Sequence, residues 1–333
     1  MEIVEIEKIN HAQWETLIKE SPTATWFQTE EAYRFFDGLS FMEAFVFGVE
    51  NEGRLKGLVA GYIEKDGGKV KQFFSRRAII LGGPLLAEDI SDEELKCLFC
   101  TLKSKLKRKA IYIETRNFND YSRWRKVFEG CGFGYQPHYD VIVDTSSIEE
   151  VNGRLDRNRK RNIKKALDNG IVVEENPSAD DVKRLYSMLV DLYATKVKTP
   201  LFPFEFFEKL STNSACRIFV GKNADGAVLG GLVCVVLQGR AVYAWMACGD
   251  DYNFKSLFPS VMVNYSGIRY AAENGFPRFD FMGAGKPDDG GYGVRDFKLK
   301  FGGELVEFGR FVYVCNHSLY DIGKLGVKVM KKS

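Results

Sequence analysis

Two rhythms of apolar residues alternate along the chain. Short β-branched and aromatic runs at residues 41–48 and 55–63 flank the turn Asn51-Glu-Gly53 and predict a hairpin. A third run, Ala78-Ile-Ile-Leu81, stops sharply at Gly82-Gly83-Pro84. Ser91-Asp-Glu-Glu94 has capping-box spacing and predicts a helix running to about residue 108. A strand follows at 110–115, then a helix over 120–129 ahead of Gly130. The spacing next predicts one long amphipathic helix from about Ser147 to Gly170, a residue suited to a helix C-terminus. Beyond it the first pattern returns. Runs at 218–222 and 228–237 flank the turn 223–226, a helix is expected over 256–274, and a strand at 278–281 leads into a glycine-rich loop.

The two halves overlay. Gly57-Leu-Val59 matches Gly231-Leu-Val233 at an offset of 174 residues, and Ile111-Tyr-Ile113 corresponds to Phe279-Asp-Phe281 at 168. Similar offsets with one order of elements predict a duplicated α/β unit with mixed sheets. The 333 residues suit two domains, each large enough to bury its own core. The expected division is 1–146 and 147–333, the second carrying a basic helix at 147–169 and a glycine-rich segment at 283–303.

Composition narrows the chemistry. Lys and Arg total 47 against 45 Asp and Glu, a net charge of +2, so charge can matter only locally. Seven scattered cysteines are expected to be reduced, and Cys97-Leu-Phe-Cys100 lacks the second ligand pair a zinc site needs. The acid-rich N-terminus does not resemble a secretory leader, and no apolar run approaches the ~20 residues that span a bilayer. A cytoplasmic location is expected.

Three histidines, with no H-E-x-x-H, G-x-S-x-G or Walker-type loop, leave the common catalytic constellations unsupported. Two segments stand out. One is the cation run containing Arg157, Arg159, Lys160, Arg161, Lys164 and Lys165, which reads either as a solvated helix or as an anion-facing one, with RNA phosphates or a nucleotide diphosphate as candidate anions. The other is Tyr292-Gly-Val-Arg-Asp-Phe297-Lys298-Leu-Lys300-Phe-Gly302, entered from a loop with four glycines that include Gly283 and Gly285. Glycine backbone lets a ligand approach closely, and an adjacent lysine can stabilise charge developing on an oxygen. A tight turn with surface lysines is the bland reading of the same residues.

At these segments the sequence resembles the Fem family of bacterial aminoacyl-tRNA-dependent peptidyltransferases. Arg159-Lys-Arg-Asn-Ile-Lys-Lys-Ala166 with Gly170-Ile-Val-Val173 is similar to the family's R-x-N-I-x-K-A…G-V-x-V step. Phe279-Asp-Phe-Met-Gly283 and residues 292–302 resemble its Y-D-F-x-G and Y-G-x-x-x-F-K-x-x-F-G signatures, and Trp26-Phe-Gln28-Thr29 its F-x-Q-[ST] opening. The resemblance covers nearly the whole chain and implies two tandem GNAT acyltransferase-fold domains of the armless type. It implies transfer of an amino acid from an aminoacyl-tRNA ester to an amine of a peptidoglycan precursor, with no cofactor or metal. Lys298, preceded by Phe297, is implied at the acyl-transfer centre, with Tyr252, Lys198 and Arg34 as substrate contacts beside Tyr292, Gly283 and Gly285. Where many members read R-G-P-x-x-D, this chain has Gly82-Gly83-Pro84-Leu85-Leu86-Ala87.

Aminolysis of a reactive ester needs the amine positioned and the oxyanion stabilised, without a covalent intermediate. The sequence names no base. Two other readings remain open: an acyl-CoA-dependent GNAT enzyme acting on an amino sugar or exopolysaccharide, and a binding protein of this fold without catalysis. Residues 252–260 hold no glycine for a pyrophosphate loop, which counts against CoA. Peripheral contact with the inner membrane face is also left open.

Overall fold

The computed structural model describes residues 1–65, 76–289 and 293–332. It divides the chain into two units, Met1–His138 with Glu307–Ser333, and Tyr139–Val306. The boundary thus falls eight residues before the expected 146/147, and the last segment belongs to the first unit.

The first unit contains β1 (Glu2–Glu5), α1 (His11–Glu20), α2 (Glu30–Asp37), β2 (Met42–Asn51), β3 (Arg54–Glu64), β4 (Arg77–Gly82), β5 (Leu85–Leu86), α3 (Asp92–Leu106), β6 (Tyr112–Asn117), α4 (Arg125–Gly130) and β7 (Gly134–Gln136). The second contains β8 (Tyr139–Asp144), α5 (Ile148–Arg154), α6 (Arg157–Asp168), β9 (Val172–Glu175), α7 (Ala179–Leu192), α8 (Phe204–Ser211), β10 (Cys216–Lys222), β11 (Val228–Leu237), β12 (Ala241–Gly249), α9 (Pro259–Glu273), β13 (Arg278–Asp280), α10 (Gly293–Leu299) and β14 (Glu304–Glu307). The chain then returns to the first unit as β15 (Arg310–Val314) and α11 (His317–Lys332).

The sheets repeat each other. One runs β1-β2-β3-β4-β6-β15-β7, with β5 beside β3; the other runs β9-β10-β11-β12-β13-β8-β14. In both, the fourth and fifth strands are parallel, and the preceding pairs are antiparallel. Gly57-Leu-Val59 and Gly231-Leu-Val233 fall on the equivalent strands β3 and β11, as the offset predicts. Each sheet takes its sixth strand out of chain order: β15 from the end of the chain, and β8 from the segment directly after β7.

Local chemistry explains most boundaries. Ser91 and Glu94 form the predicted capping box, Ser91 N donating to Glu94 at 2.8 Å and Glu94 N to Ser91 Oγ at 3.2 Å. The long helix expected over 147–169 is two helices. Leu155 leaves the helical region, and Asp156 caps α6 by accepting from Asn158 N at 2.9 Å. Buried Gln28 donates to the Gly83 and Gly82 carbonyls at 2.8 and 3.3 Å, which accounts for the opening motif. Among the described residues no helix is long and apolar enough to cross a membrane.

The parallel pairs differ between the units. β4 and β6 stay paired from Arg77/Tyr112 to Gly82/Asn117. β12 and β13 pair only from Ala241/Arg278 to Tyr243/Asp280, after which β12 continues alone to Gly249. At that parting Trp245 is an extra residue on β12, because Cys234 faces Ala244 while Val233 faces Met246.

The first unit is pinned to its returning strand by charge. Arg310 donates to Glu114 at 2.7 Å and lies 2.7 Å from His138 Nε2, while Arg116 also reaches Glu114 at 3.2 Å. Burial alone would raise the Glu114 pKa, but the two guanidinium groups outweigh it and bring it down to about 2. Because the folded value lies below the ~4.3 of an unfolded glutamate, this stabilisation is present above pH ~4.3 and is lost as pH falls through about 2. Glu114→Gln should lower unfolding free energy by about 3–5 kcal/mol at pH 7 in urea titrations, and the gap to wild type should close on acidification.

Candidate active site

The site grows from the point where β12 and β13 part. Past Asp280 the backbone enters the left-handed region, with φ of +49° at Met282, +71° at Gly283 and +82° at Gly285. A non-glycine residue there is strained, and the turn is held by charges at both polarities. Its amides face acids: Met282 N donates to Asp280 Oδ1 at 2.8 Å, and Gly283 N donates to Asp140 on β8. Its carbonyls face a cation. Lys298 Nζ donates to the oxygens of Phe281, Met282 and Gly283 at 2.8, 3.1 and 2.7 Å.

Three N–H groups on three carbonyls satisfy an ammonium completely. Burial nevertheless pulls Lys298 down to a pKa of about 8, against the opposing pull of Asp140 and Asp280. Such a group can give and take a proton near neutrality. Arg295, one helical turn earlier on α10, donates to Ala284 O at 2.8 Å and to Lys286 O, so two cations clamp successive carbonyls of one loop. Lys300 is exposed, as divergence of residues two apart on a helix requires.

The basic helix α6 has two faces. Arg159, Ile163 and Ala166 are buried, at spacings of four and three, while Arg157, Lys160, Arg161, Lys164 and Lys165 are exposed. Among the described residues none of those five has a carboxylate at ion-pairing distance. Arg159, expected among the anion-facing cations, instead lies 4% exposed, with its guanidinium 4.4 and 4.2 Å from the Phe297 and Phe301 ring centres. It sits at the apolar phase of the helix, which turns it inward.

The other expected contacts are more scattered. Gly283 and Gly285 belong to the loop on Lys298, and Gly285 O accepts from Tyr139 N at 2.8 Å. Lys198 takes a left-handed conformation, φ +53°, after the π-turn Tyr193–Val197. Tyr252 is 80% exposed beneath the Lys255 ammonium, 5.4 Å away. Arg34 lies in the first unit, paired with Glu30, and Tyr292 lies outside the described residues. Sequence reasoning missed Asp140, Arg295, Trp245 and Asp251. Only Asp140 left a trace, as a lone acid in the apolar run of β8.

Asp251 fills the start of α9. Its Oδ1 accepts from Ser260 N at 3.2 Å, and burial raises its pKa despite that bond and the field of Arg159. Pro259 has no N–H, and Met262 N is bonded to Phe258 O at 3.0 Å. The end of β12 lies directly on this helix start, since a Cβ on Gly249 would stand 2.4 Å from Ser260 N. Gly249→Ala should therefore cost about 1–3 kcal/mol in denaturant unfolding, because backbone must move to admit the methyl group.

Comparison with known proteins fits this architecture. Residues 153–298 match the family model of the acetyltransferase (GNAT) domain. A crystal structure of FemX covers 97% of this chain and 99% of its own, at a TM-score of 0.73 and 16% identity. A tandem GNAT protein from the clavulanic acid biosynthesis pathway covers 95% and 98%, at 0.61 and 11%. The lipid II:glycine glycyltransferase of Staphylococcus haemolyticus is 30% identical over 107 residues, 31% of this chain and 25% of the relative. The chain thus spans about a quarter of the length of that curated relative. Fold and site define a protein of two tandem GNAT-type units. Within that class it is a Fem-like tandem GNAT protein.

Proposed function

We propose that the chain is an aminoacyl-tRNA-dependent N-acyltransferase that passes an amino acid to an amine of a peptidoglycan precursor. The observation that carries this reading is the Lys298 ammonium held on three carbonyls beside the parting of β12 and β13. The acceptor nitrogen attacks the ester carbonyl carbon, the new C–N bond forms, and the C–O bond to the ribose breaks. The amine loses one proton and the ribose oxygen gains one, so the reaction needs a group that relays a proton and stabilises the oxyanion. Lys298 serves both needs once one of its carbonyl contacts gives way to substrate oxygen. Phe297 sets the lysine in place, and the turn around Gly283 and Gly285 lines the approach.

The donor is argued from two surfaces. Asp251 and Pro259 leave the start of α9 without the free amides that a CoA pyrophosphate needs, and place a carboxylate where its charge would lie. The exposed cations Arg157, Lys160, Arg161, Lys164 and Lys165 offer an RNA backbone a stripe of positive charge. The lipid II name of the staphylococcal relative supports a cell-wall precursor as acceptor. Lys198, Tyr252, Arg34 and Tyr292 are assigned to it through the family resemblance. A charged-RNA donor is a cytoplasmic substrate, and the reaction is assigned there.

The deciding experiment supplies radiolabelled aminoacyl-tRNA or acyl-CoA together with cell-wall precursors. Transfer is expected from the RNA ester, and transfer from CoA alone would overturn the reading. Lys298→Met should lower kcat by roughly 10²–10³. The wild-type rate should fall as pH rises through about 8, where the ammonium is lost, and Lys298→Arg should move that limb to higher pH. Replacing Arg161 and Lys164 with alanine should flatten the dependence of log affinity on log salt by about one unit per cation.

A further inference from the structure

Arg159 is a buried guanidinium with no carboxylate at ion-pairing distance among the described residues, and its Nε has no hydrogen-bond partner there. The nearest acids whose fields reach it are Asp156 and Asp251. Burying a cation in this way is costly, and an apolar side chain of similar length would fill the gap between two phenylalanine rings at lower cost. The charge therefore serves something that packing cannot.

The backbone of α10 identifies it. Phe301 N, which would close the next helical hydrogen bond onto Phe297 O, donates instead to Lys298 O at 3.0 Å. Phe297 O is thus one of the orphan carbonyls of a helix end. Arg159 Nη2 donates to it at 2.8 Å while the guanidinium plane rests on the Phe297 and Phe301 rings. A planar fork can hold a carbonyl and stack on rings at once, which a lysine ammonium cannot do.

The geometry points to Arg159 as the positioning residue of the site: it fixes the peptide joining Phe297 to Lys298, and so aims the ammonium at the carbonyls of residues 281–283. The inference rests on the role given to Lys298 above. It separates Arg159 from the other cations of α6, which face outward. It also links the start of α9, through Asp251, to the helix that carries the lysine.

The test reads Lys298 directly, without RNA or precursor. The full chain is acylated competitively with a small amine-reactive anhydride across a pH series, and the peptide bearing Lys298 is quantified by mass spectrometry. The groups facing Lys298, Asp140 and Asp280, stay in place throughout. In Arg159→Met the labelling midpoint should rise from about 8 toward the ordinary lysine value, making Lys298 about fivefold less reactive at pH 8 for a shift of one pH unit. Arg159→Lys should leave the midpoint raised as well, and in the transfer assay both variants should lose kcat while keeping KM for the RNA. A folded variant with the wild-type midpoint overturns the assignment. Loss of the fold in both variants also overturns it, by making Arg159 a folding residue. If the midpoint shifts but wild-type protein transfers nothing from charged RNA, the positioning role stands and the donor reading fails.

Discussion

One short turn of backbone carries the second unit's chemistry. Residues 281–283 direct their carbonyls at an ammonium, while the amides of Met282 and Gly283 face two carboxylates. Neither charge could be buried there alone at tolerable cost; the peptide dipoles between them allow both. The left-handed conformation at Met282 is kept because its surroundings over-determine it. That conformation ends β13 at Asp280 and lets β12 run on unpaired. The cleft, the lysine and its altered basicity thus share one origin.

The first unit shows the same frame without that device. Its parallel pair remains zipped to Gly82/Asn117, and the following carbonyls are taken by neutral groups. Gln28 holds Gly82 and Gly83, and the Tyr121 hydroxyl donates to Gly82 and Pro84 at 2.8 and 2.7 Å. Duplication supplied two sheets of one design, and the residues after the fourth strand decide which of them opens.

Much of the frame was legible in the sequence because it is written locally. Hairpins follow from alternation, α3 from its capping box, and the duplication from elements recurring in order. The reading of Lys298 rested on a motif and on its glycine-rich neighbours. What escaped it was non-local or misassigned. Asp156 read as one acid in a run of cations, although it ends one helix and begins another. Arg159 was counted with its charged neighbours, although its spacing from Ile163 and Ala166 put it on the buried stripe. Asp140 lies 143 residues before the amide it accepts from, a separation no pattern reports. β15 belongs beside β6, and only register could place it there.

That last strand has a consequence for how the molecule comes into being. A ribosome delivers residues in order, and domains are ordinarily completed from the N-terminus onward. Here β6 and β7 have no strand between them until residues 310–314 emerge, whereas the second unit takes its out-of-order strand β8 from chain already made. The half that begins first is therefore finished last. Through most of synthesis it carries two open sheet edges, which are the usual templates for wrong pairing. Chain order and assembly order run opposite ways in this protein.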